Sequence, residues 1–438
     1  MAETNKSQEE ILKKLRIKTL NEMQLAAQES ILSGDDTVLL SPTGTGKTLA
    51  FLLPIVKMLE PSSDQTQVLI LVPSRELAIQ IEQVTREMGS GYKVNAVYGG
   101  RSGAKDKVEL KNAPAILIGT PGRVADHIRR ENISTEHIRT LVLDEFDKSL
   151  QTGFEVEMRE IIRELNPDAH KILTSATKGI EIPNFARLKN PVELNFLSQK
   201  KKTLKFQSVS FNRKNKYDML KSLLGHTGSG SGIVFCNFKD TIERVSDFLV
   251  DENIGHACFY GGMEQIDRER SLLKFRNGTH RILVSTDLAA RGLDVPEMDF
   301  IIHFELPHRK EEFIHRNGRT ARMHSSGVAY VLKREDEDLP PDFIEEYTEL
   351  SLKDDYKVKH TEWSTLYISG GRKDKISKGD IAGLFMKKGN LKKGELGTIE
   401  LKQDCAFVAV PVSKTQELIN LLNNQRLKKR KVRISELE

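Results

Sequence analysis

Residues 37–48 read TVLLSPTGTGKT and run directly into LAFLLPIVKML (49–59). The short β-branched and apolar run suits a buried strand, and the long apolar stretch after the glycines suits a helix. A glycine-rich turn that opens a helix turns its backbone N–H groups toward phosphate. Thr43, Gly44, Thr45 and Gly46 therefore form a candidate phosphate cradle, with Lys47 at the β/γ-phosphates and the Thr48 hydroxyl as a Mg²⁺ ligand. Ser41 stands where the strict pattern has glycine.

Outward from this turn, short apolar runs alternate with amphipathic stretches: VLILV (68–72), AILIGT (115–120), LVLDE (141–145) and KILTSAT (171–177). A second series follows: IVFCN (233–237), HACFYG (256–261), RILVST (281–286), FIIHF (300–304) and GVAYVLK (327–333). Runs of this kind suit strands covered on both faces of a parallel sheet, joined by helical crossovers. Two doubly wound α/β units are expected, over residues 1–200 and 206–353. SQKKKTLK (198–205) is expected to link them, and 354–362 to separate the second from a tail at 363–438. The tail reads strand, helix, strand, strand, helix, strand: WSTLYIS, 379–387, GTIEL, CAFVAV, 413–423 and KVRIS. This βαββαβ order implies a small α+β sandwich.

LVLDEFD leaves Asp144, Glu145 and Asp147 at the C-terminal edge of a strand, where open α/β sheets bind ligands. Asp144 suits Mg²⁺, through water, and Glu145 suits orienting or deprotonating the attacking water. In the second unit, HRNGRTAR (315–322) places Arg319 and Arg322 three apart, on neighbouring positions if the segment is helical. Such a pair can stabilise the charge of a phosphoryl-transfer transition state.

Net charge is +5 and unevenly spread: residues 363–438 carry 16 Lys and Arg against 8 Asp and Glu. A basic tail points to a polyanionic partner. No run approaches the roughly 18 apolar residues of a membrane span. The N-terminal MAETNKSQEEILKKL lacks the pattern of a secretory signal, so a cytoplasmic protein without a membrane partner is expected. Cys236, Cys258 and Cys405 lie far apart without metal-ligand spacing.

The motifs resemble, in order and approximate spacing, those of the DEAD-box RNA helicases of superfamily 2. Gln24 is similar to the glutamine that reads adenine, and Ser41–Thr48 to motif I, whose first residue is small in that family. VPSRELAIQ (72–80), GG (99–100), TPGR (120–123), DEFD (144–147) and SAT (175–177) resemble the further motifs of the first domain. IVFCN, Gln265 with Arg268, TDLAARGLD (286–294) and 315–322 resemble those of the second. The resemblance implies two tandem RecA-like parallel-sheet domains driven by ATP and Mg²⁺. Lys47, Asp144, Glu145, Arg319 and Arg322 would be catalytic, and Asp294 would touch the ribose. Arg75, Gly99, Gly100, Thr120, Arg123, Gln265, Arg268, Thr286 and Arg291 would line an RNA backbone path, while Ser175, Thr177 and His315 would couple the two sites. Phe146 replaces the family's alanine, and Asn317 and Ala321 replace an aliphatic residue and glycine, so local packing must differ.

LYISGG (366–371) and AFVAV (406–410) resemble the RNA-contacting strands of an RRM, which implies that Tyr367 and Phe407 share a face suited to base stacking. RLKKRKVR (426–433), with Lys387, Lys388, Lys392 and Lys393, would meet phosphates. The whole resembles the DbpA-type bacterial helicases with an RRM-like RNA-binding tail. It implies a monomer acting on structured ribosomal RNA, within pre-ribosomal particles. An ATP-dependent RNA clamp or scaffold, and a DNA repair helicase of the same superfamily, are the alternative readings.

Overall fold

The computed structural model describes residues 6–100, 103–151, 153–177, 181–197, 204–212, 215–287, 298–320, 327–344, 346–352 and 357–437. They divide into two compact units, with the boundary at 202–203.

The first unit holds seven parallel strands: β1 (Thr37–Leu40), β2 (Val68–Leu71), β3 (Val94–Val97), β4 (Ile116–Gly119), β5 (Thr140–Leu143), β6 (His170–Ser175) and β7 (Val192–Asn195). Their order is β3-β4-β2-β5-β6-β1-β7. Alternate side chains of β1, β2, β4 and β5 enter two cores. Leu39, Ile70, Ile118 and Val142 pack under the helices of one face, and Leu40, Leu71, Leu117 and Leu143 under those of the other. Two-sided burial explains why the central strands β2 and β4 are continuously apolar.

The second unit carries β8 (Lys205–Phe211), β9 (Gly232–Phe235), β10 (Ala257–Phe259), β11 (Ile282–Ser285), β12 (Phe300–His303), β13 (Val328–Arg334) and β14 (Thr348–Glu349). These form a parallel sheet in the order β10-β11-β9-β12-β13-β8-β14. The tail adds β15 (Trp363–Ile368), β16 (Ile399–Leu401), β17 (Ala406–Pro411) and β20 (Ile434–Glu436) as an antiparallel sheet, ordered β16-β17-β15-β20. A hairpin of β18 (Arg426–Leu427) and β19 (Arg430–Lys431) precedes the last strand. Tandem RecA-like domains followed by a small antiparallel-sheet domain thus describe the fold.

Two expectations change. Lys205, read as the end of a linker, begins β8, which pairs with β13 along its full length. The helix expected over 379–387 runs Lys378–Gly383 and widens into a π-helical turn, Leu384–Lys388.

Candidate functional site

Ser41 continues β1, its N–H donating to the Ser175 carbonyl at 3.0 Å. The turn that follows ends on Gly46, at φ 89°, which begins the helix Lys47–Met58. Only glycine fits there: a Cβ would lie 2.5 Å from Gln24 Nε2. The Ser41 and Thr45 hydroxyls lie 2.8 Å apart, so serine in place of glycine pins the loop. Lys47 Nζ donates to the Ser41 and Pro42 carbonyls at 2.6 and 3.0 Å. Gln24 sits in the capping box of the helix Glu22–Ser33, accepting from Asn21 N–H at 3.0 Å. Its amide nitrogen donates to the Gly46 carbonyl at 3.2 Å, and Asn21 Nδ2 donates to the Thr45 carbonyl at 3.0 Å.

Asp144 and Glu145 follow β5. Burial pushes the Asp144 carboxyl up, against the Thr174 hydroxyl and the charge of Lys47, which favour the anion. Thr174 Oγ1 donates to Asp144 and accepts from Glu145 N–H. Glu145 adopts φ 48°, a left-handed conformation that is unfavourable for a side chain and recurs where geometry serves function. Beyond β6, Thr177 Oγ1 donates to Asp147 at 2.9 Å, and Ser175 Oγ caps the same turn. The SAT and DEFD segments are therefore joined by hydrogen bonds. Phe146 is buried and lines, with Val38, Leu40 and Leu173 and with Asp147, Ser175 and Thr177 of these segments, a cavity of about 260 Å³.

The residues expected along RNA fall on the neighbouring stretch of the same sheet edge. Arg75 begins the helix after β2, Gly99 and Gly100 follow β3, and Thr120 begins the helix Pro121–Arg129 after β4. Arg75 lies across the two glycines: a Cβ on Gly100 would meet its Nη1 at 2.4 Å. Arg123 is held by the fully buried Asp106, at 2.8 Å, which also meets His127 Nε2 at 3.2 Å. The strand order β3-β4-β2-β5-β6-β1 thus divides one edge into a half carrying Arg75, Gly100 and Thr120 and a half carrying Lys47, Asp144 and Ser175.

In the second unit Gln265 begins the helix Gln265–Arg276, and the Arg268 guanidinium lies 4.7 Å over the Phe259 ring. Thr286 follows β11. His315 and Arg319 are buried. The helix Lys310–Asn317 ends before Arg319, with Gly318 at its C-terminus, so Arg319 itself is not on this helix. Arg291, Asp294, Arg322 and Ala321 lie outside the described residues.

Arg316, which the sequence reading passed over, organises this edge. It is fully buried, pairs with Asp287 through Nε and Nη2, and donates to the Glu305 carbonyl and Asn237 Oδ1 at 2.6 and 2.7 Å. Three of the sequence motifs are thereby tied to one guanidinium. Its place between His315 and Arg319, with an aspartate in TDL, was the signal available. Asn317 meets His303 Nε2 at 3.0 Å, within a stack of Phe235, His303 and Phe313. A polar residue at 317 is thus matched by a polar residue on β12.

In the tail, Tyr367 and Phe407 are cross-strand partners with ring centroids 5.8 Å apart. Phe407 is only 9% exposed, so it is packed and not presented for stacking. The same sheet face meets the helix Gln265–Arg276 and the turn after it, through Arg276 with Glu400 at 2.8 Å and Thr279 with Thr365 at 2.7 Å. Arg426, Lys429, Lys431 and Arg433, on and beside the β18–β19 hairpin, are exposed, as are Lys387, Lys388, Lys392 and Lys393.

This arrangement is that of a two-domain, nucleotide-driven helicase core with an added RNA-binding module. Residues 21–184 match the DEAD/DEAH box helicase family, 215–324 the helicase conserved C-terminal domain and 365–436 the DbpA RNA binding domain. The chain is 31% identical to the ATP-dependent RNA helicase DbpA of Escherichia coli, over 97% of this chain and 95% of that one. With the Bacillus subtilis protein of the same name it shares 29%, over 94% of each. Among solved structures, Saccharomyces cerevisiae Dbp5 bound to RNA and ADP BeF3 resembles it with a TM-score of 0.69 at 27% identity, covering 78% of this chain and 93% of that one. The chain belongs to the DEAD-box ATP-dependent RNA helicases of the DbpA type, and it is an RNA-stimulated ATPase that binds ATP and RNA.

Proposed function

We propose that the chain uses ATP to open short duplexes in structured ribosomal RNA during ribosome assembly. The observation that carries this reading is the DbpA RNA binding domain at 365–436, with its exposed basic hairpin, behind an intact helicase core. The tail supplies substrate choice by the shape of a structured RNA, whose phosphates Arg426, Lys429, Lys431 and Arg433 would track, and the core supplies generic strand separation.

In this reading Gln24 recognises adenine with the second Nε2 hydrogen and the second Oε1 lone pair, a match to N7 and N6. Lys47 leaves its carbonyl partners for the β/γ-phosphates. Thr48 and Asp144 suit Mg²⁺: a buried carboxylate disfavoured as an isolated anion is what a divalent cation stabilises, and one or two protein ligands suffice when phosphates and water complete the shell. Mg²⁺ would neutralise charge on the β/γ-phosphates. Glu145 orients water, Arg319 and Arg322 stabilise the transferring phosphoryl group, and Asp294 holds the ribose. Ser175, Thr177 and His315 couple nucleotide to RNA, which lies along Arg75, Gly99, Gly100, Thr120, Arg123, Gln265, Arg268, Thr286 and Arg291. ATP and RNA together close the domains, and phosphate release reopens them.

We assign the protein to the cytoplasm, as a monomer; among the described residues no helix is long and apolar enough to cross a membrane. Crosslinking the full chain to cellular RNA tests the reading. Reads concentrated in ribosomal RNA, and dispersed by Arg426→Glu with Lys431→Glu, are expected. A footprint elsewhere, or one indifferent to those changes, contradicts it, and slow turnover on a long-lived RNA complex would favour a clamp.

A further inference from the structure

The helix Gln265–Arg276 has a different neighbour at each end. Its first residue belongs to the expected RNA path, while its last, Arg276, bonds Glu400 of the C-terminal sheet at 2.8 and 3.0 Å. The turn after it is gripped by the same sheet: Asn277 and Thr279 meet Thr365, Thr361 Oγ1 donates to the Gly278 carbonyl, and the Trp363 side chain lies over Gly278. Glu400, Phe407 and Tyr367 stand in register across β16, β17 and β15. The face of the tail that carries its paired aromatic rings is therefore seated on the second RecA-like domain.

Glu269 lies between the two ends. One carboxylate oxygen accepts from Lys402 Nζ at 2.8 Å, and the other accepts from Gln265 Nε2 at 3.4 Å, one helical turn away. Lys402 is itself fixed to the sheet, beside Glu400 and 5.9 Å from the Phe407 ring centre. We propose that Glu269 is a positioning residue through which the seated C-terminal domain sets the Gln265 amide for the RNA backbone. Lys402 holds the carboxylate, and the carboxylate restricts the amide of the residue that begins the helix. Binding the tail to its target would then adjust grip in the helicase core without any contact between the tail and the strand being opened. The inference rests on the reading of Gln265 as an RNA contact.

The test is a double-mutant cycle on the full chain, reading the affinity for fluorescein-labelled oligo(U) with AMP-PNP by anisotropy, and mant-ADP affinity as the control. Both members of the Lys402–Glu269 pair are partly exposed, so a roughly two- to fivefold weakening of oligo(U) binding is expected for Lys402→Glu. Lys402→Arg should retain affinity, and mant-ADP binding should not change. In a Gln265→Ala background the Lys402→Glu effect should vanish, because the relay has lost its end. Additive effects would overturn the relay and make Lys402 a direct RNA contact or a simple fold determinant. An unaltered affinity in Lys402→Glu would also overturn it. If Gln265→Ala alone leaves oligo(U) affinity unchanged, the role of Gln265 on the RNA path fails, and the relay with it.

Discussion

Gln24 donates its side-chain amide to the carbonyl of Gly46, so the residue expected to read adenine is also a strut of the phosphate loop. Its other amide atom closes the capping box with Asn21, and the side chain is 7% exposed. Loop shape and the proposed nucleotide recognition therefore share one side chain.

From this, Gln24→Ala is expected to raise the KM for ATP roughly five- to a hundredfold, since a bidentate purine contact is worth about 1–3 kcal/mol. UTP, which lacks that pattern, should be affected far less. Measuring both KM values decides the matter: an equal rise for both triphosphates would leave the strut without the recognition.

Arg316 is buried in an ion pair with Asp287 and holds Asn237 and the Glu305 carbonyl as well. Truncating one partner of such a pair costs about 3–5 kcal/mol, because the other charge stays buried. Arg316→Met should lower the unfolding free energy of the second domain by that amount, seen as an earlier urea midpoint in unfolding of the full chain. A midpoint unchanged from the parent would mean that the network is not structural.

Phe146 is 3% exposed in the core of the first domain. Restoring the alanine usual in this family should destabilise that domain by about 3–5 kcal/mol, since the cavity beside the ring would grow instead of collapsing. Thr177 and Asp147 keep their bond, so RNA-stimulated ATP hydrolysis below the melting temperature should remain. Thermal melting with an ATPase assay on the same sample separates the two effects.

His303 is pushed down to about 3 by burial and by the neighbouring Arg316, from an ordinary 6.5. The unfolded chain then binds a proton that the folded chain does not, so stability falls as pH drops below about 6.5 and the loss levels off near 3. NMR of the ring protons should show a neutral His303 at pH 5. A titration near 6.5 would contradict the buried pair with Asn317.

Strands with unbroken apolar runs, such as VLIL and GIVF, could be read from sequence because burial on both faces leaves no polar positions. Others could not. β3 is interrupted by Asn95, β7 alternates half-buried and exposed residues at a sheet edge, and β8 begins with lysine. Strand order was equally hidden, since it depends on crossovers, yet it alone puts Arg75, Gly100 and Thr120 side by side. Asn317 departs from the family's aliphatic residue, and the reason, its partner His303, lies fourteen residues earlier in the chain. Tyr367 and Phe407 were correctly read as sharing a face, but alternation says nothing about what covers it.

The seating of that face is open to a direct check. The Thr279 and Thr365 hydroxyl oxygens are 2.7 Å apart, so cysteines at both positions should form a disulfide under mild oxidation in the full chain. Failure to crosslink would contradict the docked arrangement.

In the proposed mechanism, ATP held by Lys47 and cleaved with the help of Glu145 drives this protein's action on RNA. Steady-state phosphate release with and without ribosomal RNA, for the parent, Lys47→Ala and Glu145→Gln, tests it most directly. Stimulation in the parent and a fall of about 10²-fold or more in both variants is expected, Glu145→Gln still binding nucleotide. Stimulated hydrolysis at the parental rate in either variant would rule out these roles for Lys47 and Glu145.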